Sequence, residues 1–547
     1  MVAETVPAGS PGERPVLLHD MVSTGAARHP DRPALVVDDQ ATTYAELERR
    51  TTLLAAALRR IAGPGERVAF VADNGPEWID AYYGVPRAGW LLGFVNQRLG
   101  PQPLRAAVAR LRPRVLVGGR EQLDLLRETG PLDDLAPLVV AVDRPAPGEA
   151  AYADLLAAGA APGAREPAVG AGGTGHPRPG PDDTAWLLAT SGTSGTPKVV
   201  ELSHRNILAA VTTTLAVRPV ADDDVYLFPF PLCHVAGYNV LLFHHSGRPV
   251  VLARRFDPAA VAVQVGRHRV TTISLAPTML HGLLDHLDRH GGALAPLRTV
   301  SYGSSAISPH LLARAIDRLG VDFNQGYGMT ELAGNAVFLS PEDHRQGTAG
   351  RPSLLRAAGR PGPGVSVRLL DDDGAEVPVS RPGEVAIRAP QVTKGYWEAP
   401  DANAAAFHDG WFRTGDVGRI GPDGYLSIVD RKKDIIVSGG ENVSSREVED
   451  ALATHPDVAE VAVVGAADPR WGEVVCAVVV PRAGSGLTGE EVLRFGRERI
   501  GGFQQPRQVE VVDQLPRNGT GKVLKHELRA LVANPGRPRV DRPAAGG

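Results

Sequence analysis

"TSGTSGTPKVV", Thr190 to Val200, sets glycines, hydroxyl side chains and a proline ahead of one lysine and then turns apolar. A Gly/Ser/Thr connector is one reading. A connector, however, has no use for a lysine followed at once by "VVELSH" at Val199–His204. A Walker P-loop is excluded. It needs G-x-x-x-x-G-K-[ST], whereas Gly192 and Gly195 stand too close together and Lys198 follows Pro197. The third reading is a different phosphate cradle. In it the backbone N–H groups around Gly192 and Gly195 face an anion. Thr190, Ser191, Thr193, Ser194 and Thr196 add hydroxyl donors, and Lys198 adds a point charge. The lysine favours this cradle over the connector.

On both sides of the loop, helix and strand patterns alternate. Upstream, "TYAE" at Thr43–Glu46 has capping-box spacing. Leu47, Leu54, Leu58 and Ile61 then recur at helical intervals until Gly63–Pro64 ends the run. "RVAFVAD", "RVLVGG" and "LVVAVD" read as strands, with "QPLRAAVARLRP" and "REQLDLLRE" as helices among them. Downstream, "VYLF", "PVVLA", "TTISLA", "RTVSYG" and "VDFNQG" are strand candidates with helical stretches between several of them. Such alternation predicts βαβ units, a largely parallel sheet, and two α/β halves with a ligand-binding seam. Gly159 to Asp183 is aperiodic in Gly, Pro and Ala, which predicts a mobile surface loop. After Asp430 the strands "VAEVAVVGAAD", "EVVCAVVVP" and "RQVEVVDQLP" and the helices "SSREVEDALATH" and "TGEEVLRFGRERI" predict a separate α+β domain of roughly 110 residues. Residues 1–15 and 533–547 read as flexible ends.

A formal net charge of -4 gives no support to a nucleic-acid binder or a polybasic membrane anchor. The two cysteines, Cys233 and Cys476, are too far apart in sequence for a disulfide framework or a zinc site. The first residues, "MVAETVPAGSPGERP", lack the basic end and apolar run of a signal peptide, and no apolar stretch has membrane-span length. A soluble cytoplasmic protein is expected, with no nucleic-acid or integral membrane partner.

Further motifs follow in order: "PLCHVAG" at Pro231–Gly237, "NQGYGMTEL" at Asn324–Leu332, "GWFRTGDVG" at Gly410–Gly418, "YLSIVDRKKDIIVSGGENV" at Tyr425–Val443 and "PRNGTGK" at Pro516–Lys522. With "TSGTSGTPK" they make the chain, from about residue 20 to 530, resemble the acyl-adenylate-forming superfamily. That superfamily includes acyl-CoA synthetases, peptide-synthetase adenylation domains and luciferases, and the resemblance is strongest to fatty-acid-type acyl-CoA synthetases. It implies an α/β fold: a large N-terminal domain of two layered α/β halves plus a small β-structured portion over 16–430, a hinge at 431–434, and a smaller mobile α+β C-terminal domain over 435–532. It also implies an ATP-dependent acid–thiol ligase. A fatty or other hydrophobic carboxylic acid would attack the α-phosphate of ATP, release pyrophosphate, and pass from acyl-AMP to coenzyme A. Delivery to a carrier-protein phosphopantetheine thiol or to an amine is the alternative, and a catalytically silent nucleotide-binding protein is a third reading. ATP, Mg²⁺ and coenzyme A are the implied cofactors, and a carrier protein or a second copy of the chain remains open as partner.

The resemblance also implies site roles. Thr190 to Thr196 and Lys198 embrace the β- and γ-phosphates. Tyr327 stacks on adenine, with Gly303, Ser304, Ser305, Asn324, Gly326 and Gly328 around the nucleotide. Thr330 meets the α-phosphate, and Glu331 with Thr190 holds Mg²⁺, a hard ion that takes few protein ligands. Asp416 accepts from the ribose hydroxyls, near Ile428, Arg431 and Lys433. Lys522, by itself readable as a solvated lysine before a helix, becomes an electrostatic clamp on the carboxylate and α-phosphate. Lys433 marks the hinge, and Gly439 and Gly440 line the pantetheine tunnel. The acyl pocket draws on His234, Gly237, Tyr238, Tyr302, Gly303, Gly328, Met329, Ala333 and Gly334, with His234 as a gate toward the thiol channel. Small residues at Gly326, Ala333 and Gly334 are expected to leave room for a bulky or long acid.

Overall fold

A computed structural model describes residues 17–161, 178–190, 198–517 and 522–533. The expectations for the two chain ends and for most of the 159–183 loop therefore lie outside the described residues, as do Ser191, Gly192, Thr193, Ser194, Gly195 and Thr196. The chain is mixed α/β, with a large N-terminal domain and a smaller C-terminal one.

Two large sheets carry the N-terminal domain. In the first, Arg67–Val71, Leu91–Phe94, Val115–Gly118, Leu138–Ala141 and Thr184–Ala189 run parallel, and Val199–Ser203 returns antiparallel. In the second, Pro33–Val37, Tyr226–Phe228, Val250–Leu252, Thr272–Leu275, Thr299–Gly303 and Asp322–Met329 run parallel, closed by the antiparallel Gly334–Leu339. The halves are not simply consecutive in sequence. Pro33–Val37 pairs with Val250–Leu252 across the chain, and Thr184–Ala189 belongs to the first sheet although it follows the 159–183 loop.

Local signals placed the helices well. The helix Tyr44–Ile61 starts where Thr43 Oγ1 accepts from the Glu46 backbone N–H at 3.2 Å. The Glu46 carboxylate does not complete a capping box; it accepts from Arg49 Nε at 2.7 Å instead. Between the sheets lies the buried helix Pro76–Arg87, where Trp78 and Tyr82, one turn apart, meet Phe70 and Trp186 at ring distances of 4.2 and 4.8 Å. Asn74 stitches the halves together. Its Nδ2 donates to Phe230 O at 2.7 Å and Ala253 O at 2.9 Å, and its Oδ1 accepts from Leu232 N at 2.8 Å.

A third, antiparallel sheet follows, built from Ser366–Leu370, Gly383–Arg388, Trp411–Ile420 and Leu426–Arg431. The fourth sheet and its helices use only residues after Arg431. Alternation splits its core: Val475, Ala477 and Val479 face the helices Ser445–Leu452 and Gly489–Arg499, while Val474, Cys476 and Val478 face Lys525–Val532. Among the described residues no helix is long and apolar enough to cross a membrane.

Candidate active site

The parallel strands of both sheets end at the seam, and a cavity of about 1360 Å³ opens there. Its wall takes in Thr190, Lys198, His234, Tyr238, Tyr302, Gly303, Ser304, Asn324, Gly326, Gly328, Met329, Thr330, Glu331, Gly334, Arg431 and Lys522 from the residues singled out in the sequence. Segments hundreds of residues apart thus converge, and the C-terminal domain contributes Lys522.

Lys522 is largely buried. Desolvation, then the nearby Arg431 charge, lowers its pKa to about 8, with Asp416 acting in the opposite sense. Arg431 Nε lies 3.4 Å from Asp416 Oδ1, and the Tyr327 hydroxyl donates to Asp416 Oδ2 at 2.7 Å. Tyr327 and Asp416 therefore sit just behind the wall, locked to each other.

The opposite cluster centres on Glu331. Burial raises its pKa, and its Oε1 accepts from the Tyr396 hydroxyl at 2.9 Å. Lys198 Nζ lies 4.6 Å from the centroid of the Tyr396 ring. Tyr396, absent from the sequence reading, thus joins the lysine of the glycine-rich loop to the carboxylate. It is held by strand pairing with Val200 and by Asn403, whose Oδ1 accepts from Tyr396 N at 2.7 Å. Thr190 N donates to Lys198 O at 2.8 Å, closing the base of that loop. A desolvated carboxylate on a cavity wall fits a divalent cation, which would favour its charged form.

His234 is neutral near pH 7, since burial lowers its pKa to about 4. Its Nε2 has no hydrogen-bond partner among the described residues. Tyr302 turns its hydroxyl toward His344 Nε2, 2.9 Å away, on the helix Pro341–Thr348.

Several expected residues are off the wall. A Cβ on Gly237 would meet Tyr82 Oη at 2.0 Å, and one on Gly439 would meet the Trp471 ring at 2.6 Å. Both glycines serve close packing there. Ala333 is fully buried in a left-handed turn at φ 52°. Ser305, Ile428, Lys433 and Gly440 also fall outside the lining. The space expected at Gly326 and Gly334 is already filled. A Cβ on Gly326 would lie 2.0 Å from Asn335 Nδ2, and one on Gly334 would lie 2.9 Å from the Tyr238 ring. These glycines let strand and side chain approach rather than enlarging the pocket.

The family model described as AMP-binding enzyme matches residues 22–397, and that described as AMP-binding enzyme C-terminal domain matches 447–522. A feruloyl-CoA synthase from Amycolatopsis sp is 37% identical over 505 residues, 89% of this chain and 94% of that protein. An indoleacetate–CoA ligase from Aromatoleum aromaticum is 36% identical, over 94% of this chain and 98% of its own. Among solved structures, the amide bond synthetase McbA from Marinactinospora thermotolerans superposes with a TM-score of 0.81 at 32% identity, covering 94% of this chain and 99% of that one. The matched motifs, the two-domain architecture and these relatives agree: the chain belongs to the AMP-binding, acyl-adenylate-forming enzyme family.

Proposed function

We propose that the protein is an AMP-forming acid–thiol ligase that activates a hydrophobic carboxylic acid as acyl-AMP and transfers the acyl group to coenzyme A. CoA ligases of this family use ATP, Mg²⁺ and coenzyme A. The observation that carries the reading is one cavity wall shared by Lys522 of the C-terminal domain and Lys198, Thr330 and Glu331 of the N-terminal domain. A carboxylate and a triphosphate repel each other, so a cationic clamp beside both reacting groups is what the first step needs. In this assignment Lys522 and Thr330 hold the carboxylate and α-phosphate while pyrophosphate leaves. Lys198 and Thr190 hold the outer phosphates, Asp416 and Tyr327 the nucleoside, and Glu331 is the carboxylate that would hold Mg²⁺.

The second step replaces AMP by a thiol, so the clamp must withdraw. Lys433 is the proposed pivot, because partners change across it. Lys432 Nζ pairs with Asp372 at 2.8 Å, in the N-terminal domain, whereas Asp434 Oδ1 accepts from Arg529 at 2.7 Å, in the C-terminal domain. Rotation there would bring Gly439 and Gly440 to the thiol path. The same cavity reaches the apolar Val95, Leu99, Ala106 and Ala107 beside Arg98 and Arg110, a lining suited to pantetheine with phosphates behind it. Amide formation is the second reading, favoured by the similarity to McbA. The test supplies ATP and an acid panel with coenzyme A, a holo carrier protein or amines in separate reactions and identifies products by mass. Acyl-CoA as the dominant product supports the proposal; an amide or acyl-carrier product formed faster than acyl-CoA overturns it.

A further inference from the structure

Three consecutive residues after the hinge dock on three consecutive residues before it. Ser444 Oγ donates to Val429 O at 2.9 Å, and Arg446 Nη1 donates to Ile428 O at 3.0 Å. Between them, Asp430 Oδ2 accepts from Ser445 N at 2.7 Å and from Ser445 Oγ at 2.6 Å. Ile428, Val429 and Asp430 belong to the strand Leu426–Arg431 of the third sheet, whereas Ser444 caps the helix Ser445–Leu452 of the C-terminal domain. The other Asp430 oxygen, Oδ1, accepts from Arg431 N at 2.7 Å, and Arg431 lines the cavity. Asp430 is 7% exposed and Ser445 is fully buried, so these donors stand in place of water around the carboxylate.

The contact continues toward Lys522. Ser445 Oγ gives its hydrogen to Asp430 and accepts from Lys525 Nζ at 2.5 Å, and Lys525 also pairs with Glu449 at 2.8 Å. Lys525 opens the helix Lys525–Val532, three residues after Lys522. Leu524 N, just before it, donates to Pro516 O at 2.9 Å. The helix behind Lys522 is thus tied to Ser445, and Ser445 is tied through Asp430 to the strand that supplies Arg431. Of these bonds, those to Ile428, Val429 and Asp430 span the proposed pivot at Lys433. Lys525 and Glu449 lie on the same side of it as Ser445 and travel with it.

We infer that Asp430 and Ser445 are positioning residues: they clasp the C-terminal domain in the orientation that brings Lys522 to the cavity, and acyl transfer requires the clasp to open. This deepens the two-step reading above and rests on it. Opening replaces each lost bond by one to water, which solvates the freed carboxylate, so the clasp can open and close reversibly.

The test measures two rates in the whole protein: pyrophosphate release from ATP and acid, and transfer from supplied acyl-AMP to the acceptor that the product assay identifies. Weakening the clasp shifts the balance of the two orientations whichever of them predominates, so the ratio of transfer to adenylation is the readout. Ser445→Ala should raise that ratio ~3–10-fold, and Ser445→Thr, which keeps the hydroxyl, should keep the parent ratio. Ser444→Asp retains a capping acceptor but has no hydrogen for Val429 O, and it should raise the ratio too. Melting curves confirm the fold; if Ser445→Ala does not fold, Ser444→Asp decides. Joined in one chain, Asp430→Ala and Ser445→Ala should raise the ratio by less than the product of their separate effects, because the two side chains act on each other. A ratio at or below the parent's in the folded Ala and Asp variants overturns the inference, as do half-reactions that slow alike. An unmoved ratio in a parent protein that performs both steps strikes this inference alone, whereas a parent that releases no pyrophosphate with any acid strikes the ligase reading, and the inference falls with it.

Discussion

At the residue scale the proposed chemistry turns on Lys522. In sequence it stands before a helix like many solvated lysines; in the structure it is buried beside Arg431, with a pKa lowered to about 8. Lys522→Ala should lose adenylation by ~10²–10³-fold yet keep thioester formation from supplied acyl-AMP. Equal loss of both half-reactions would show that the lysine does not act in the first step alone. A lysine with this shift is charged below about pH 8 and neutral above it, and only the ammonium clamps. Adenylation kcat/KM for ATP should therefore fall as pH rises through about 8, while the thioester step shows no matching limb. A flat profile from about pH 7 to about 9.5, on both sides of the lysine's pKa of about 8, would contradict this. Tyr396 gives the opposite lesson. Nothing around "KGYW" distinguishes it from a core aromatic, because its partners Lys198 and Glu331 are remote in sequence.

At the scale of elements, the strand pair Asp322–Met329 and Gly334–Leu339 positions Thr330 and Glu331. A Cβ on Gly328 would lie 1.9 Å from Gly334 O, a backbone atom that cannot swing aside. Gly328→Ala should cost about 1–3 kcal/mol of stability and lower adenylation with it, because the two strands must separate. A melting temperature and an adenylation rate both equal to those of the parent would sink that account. Helix starts were legible because capping is local, as at Thr43. Glu46 was not, since Arg49 competes for its carboxylate.

Across the whole molecule, the proposed function requires the two domains to exchange contacts. Lys433→Pro should slow thioester formation ~10-fold or more relative to adenylation, because proline restricts its own φ and the preceding residue. Lys433→Ala should leave both steps near the parent rate. A melting curve separates a locked hinge from a misfolded one. Unchanged thioester kinetics in the proline variant would place the pivot elsewhere. Asn74 shows why the N-terminal domain provides a rigid base for such motion: its three hydrogen bonds cross between the halves in the buried interior.

The sequence by itself determined the layered α/β class, the smaller C-terminal domain and the segments that meet at the seam. Period-two and helical patterns, caps and glycine-rich motifs are written in neighbouring residues. Tertiary structure alone decided which sheet received Pro33–Val37 and Thr184–Ala189, what filled the space beside Gly326 and Gly334, and which polar groups line the cavity. Strand order and register join residues far apart in sequence through burial and backbone pairing, and periodicity specifies a face without specifying what will cover it.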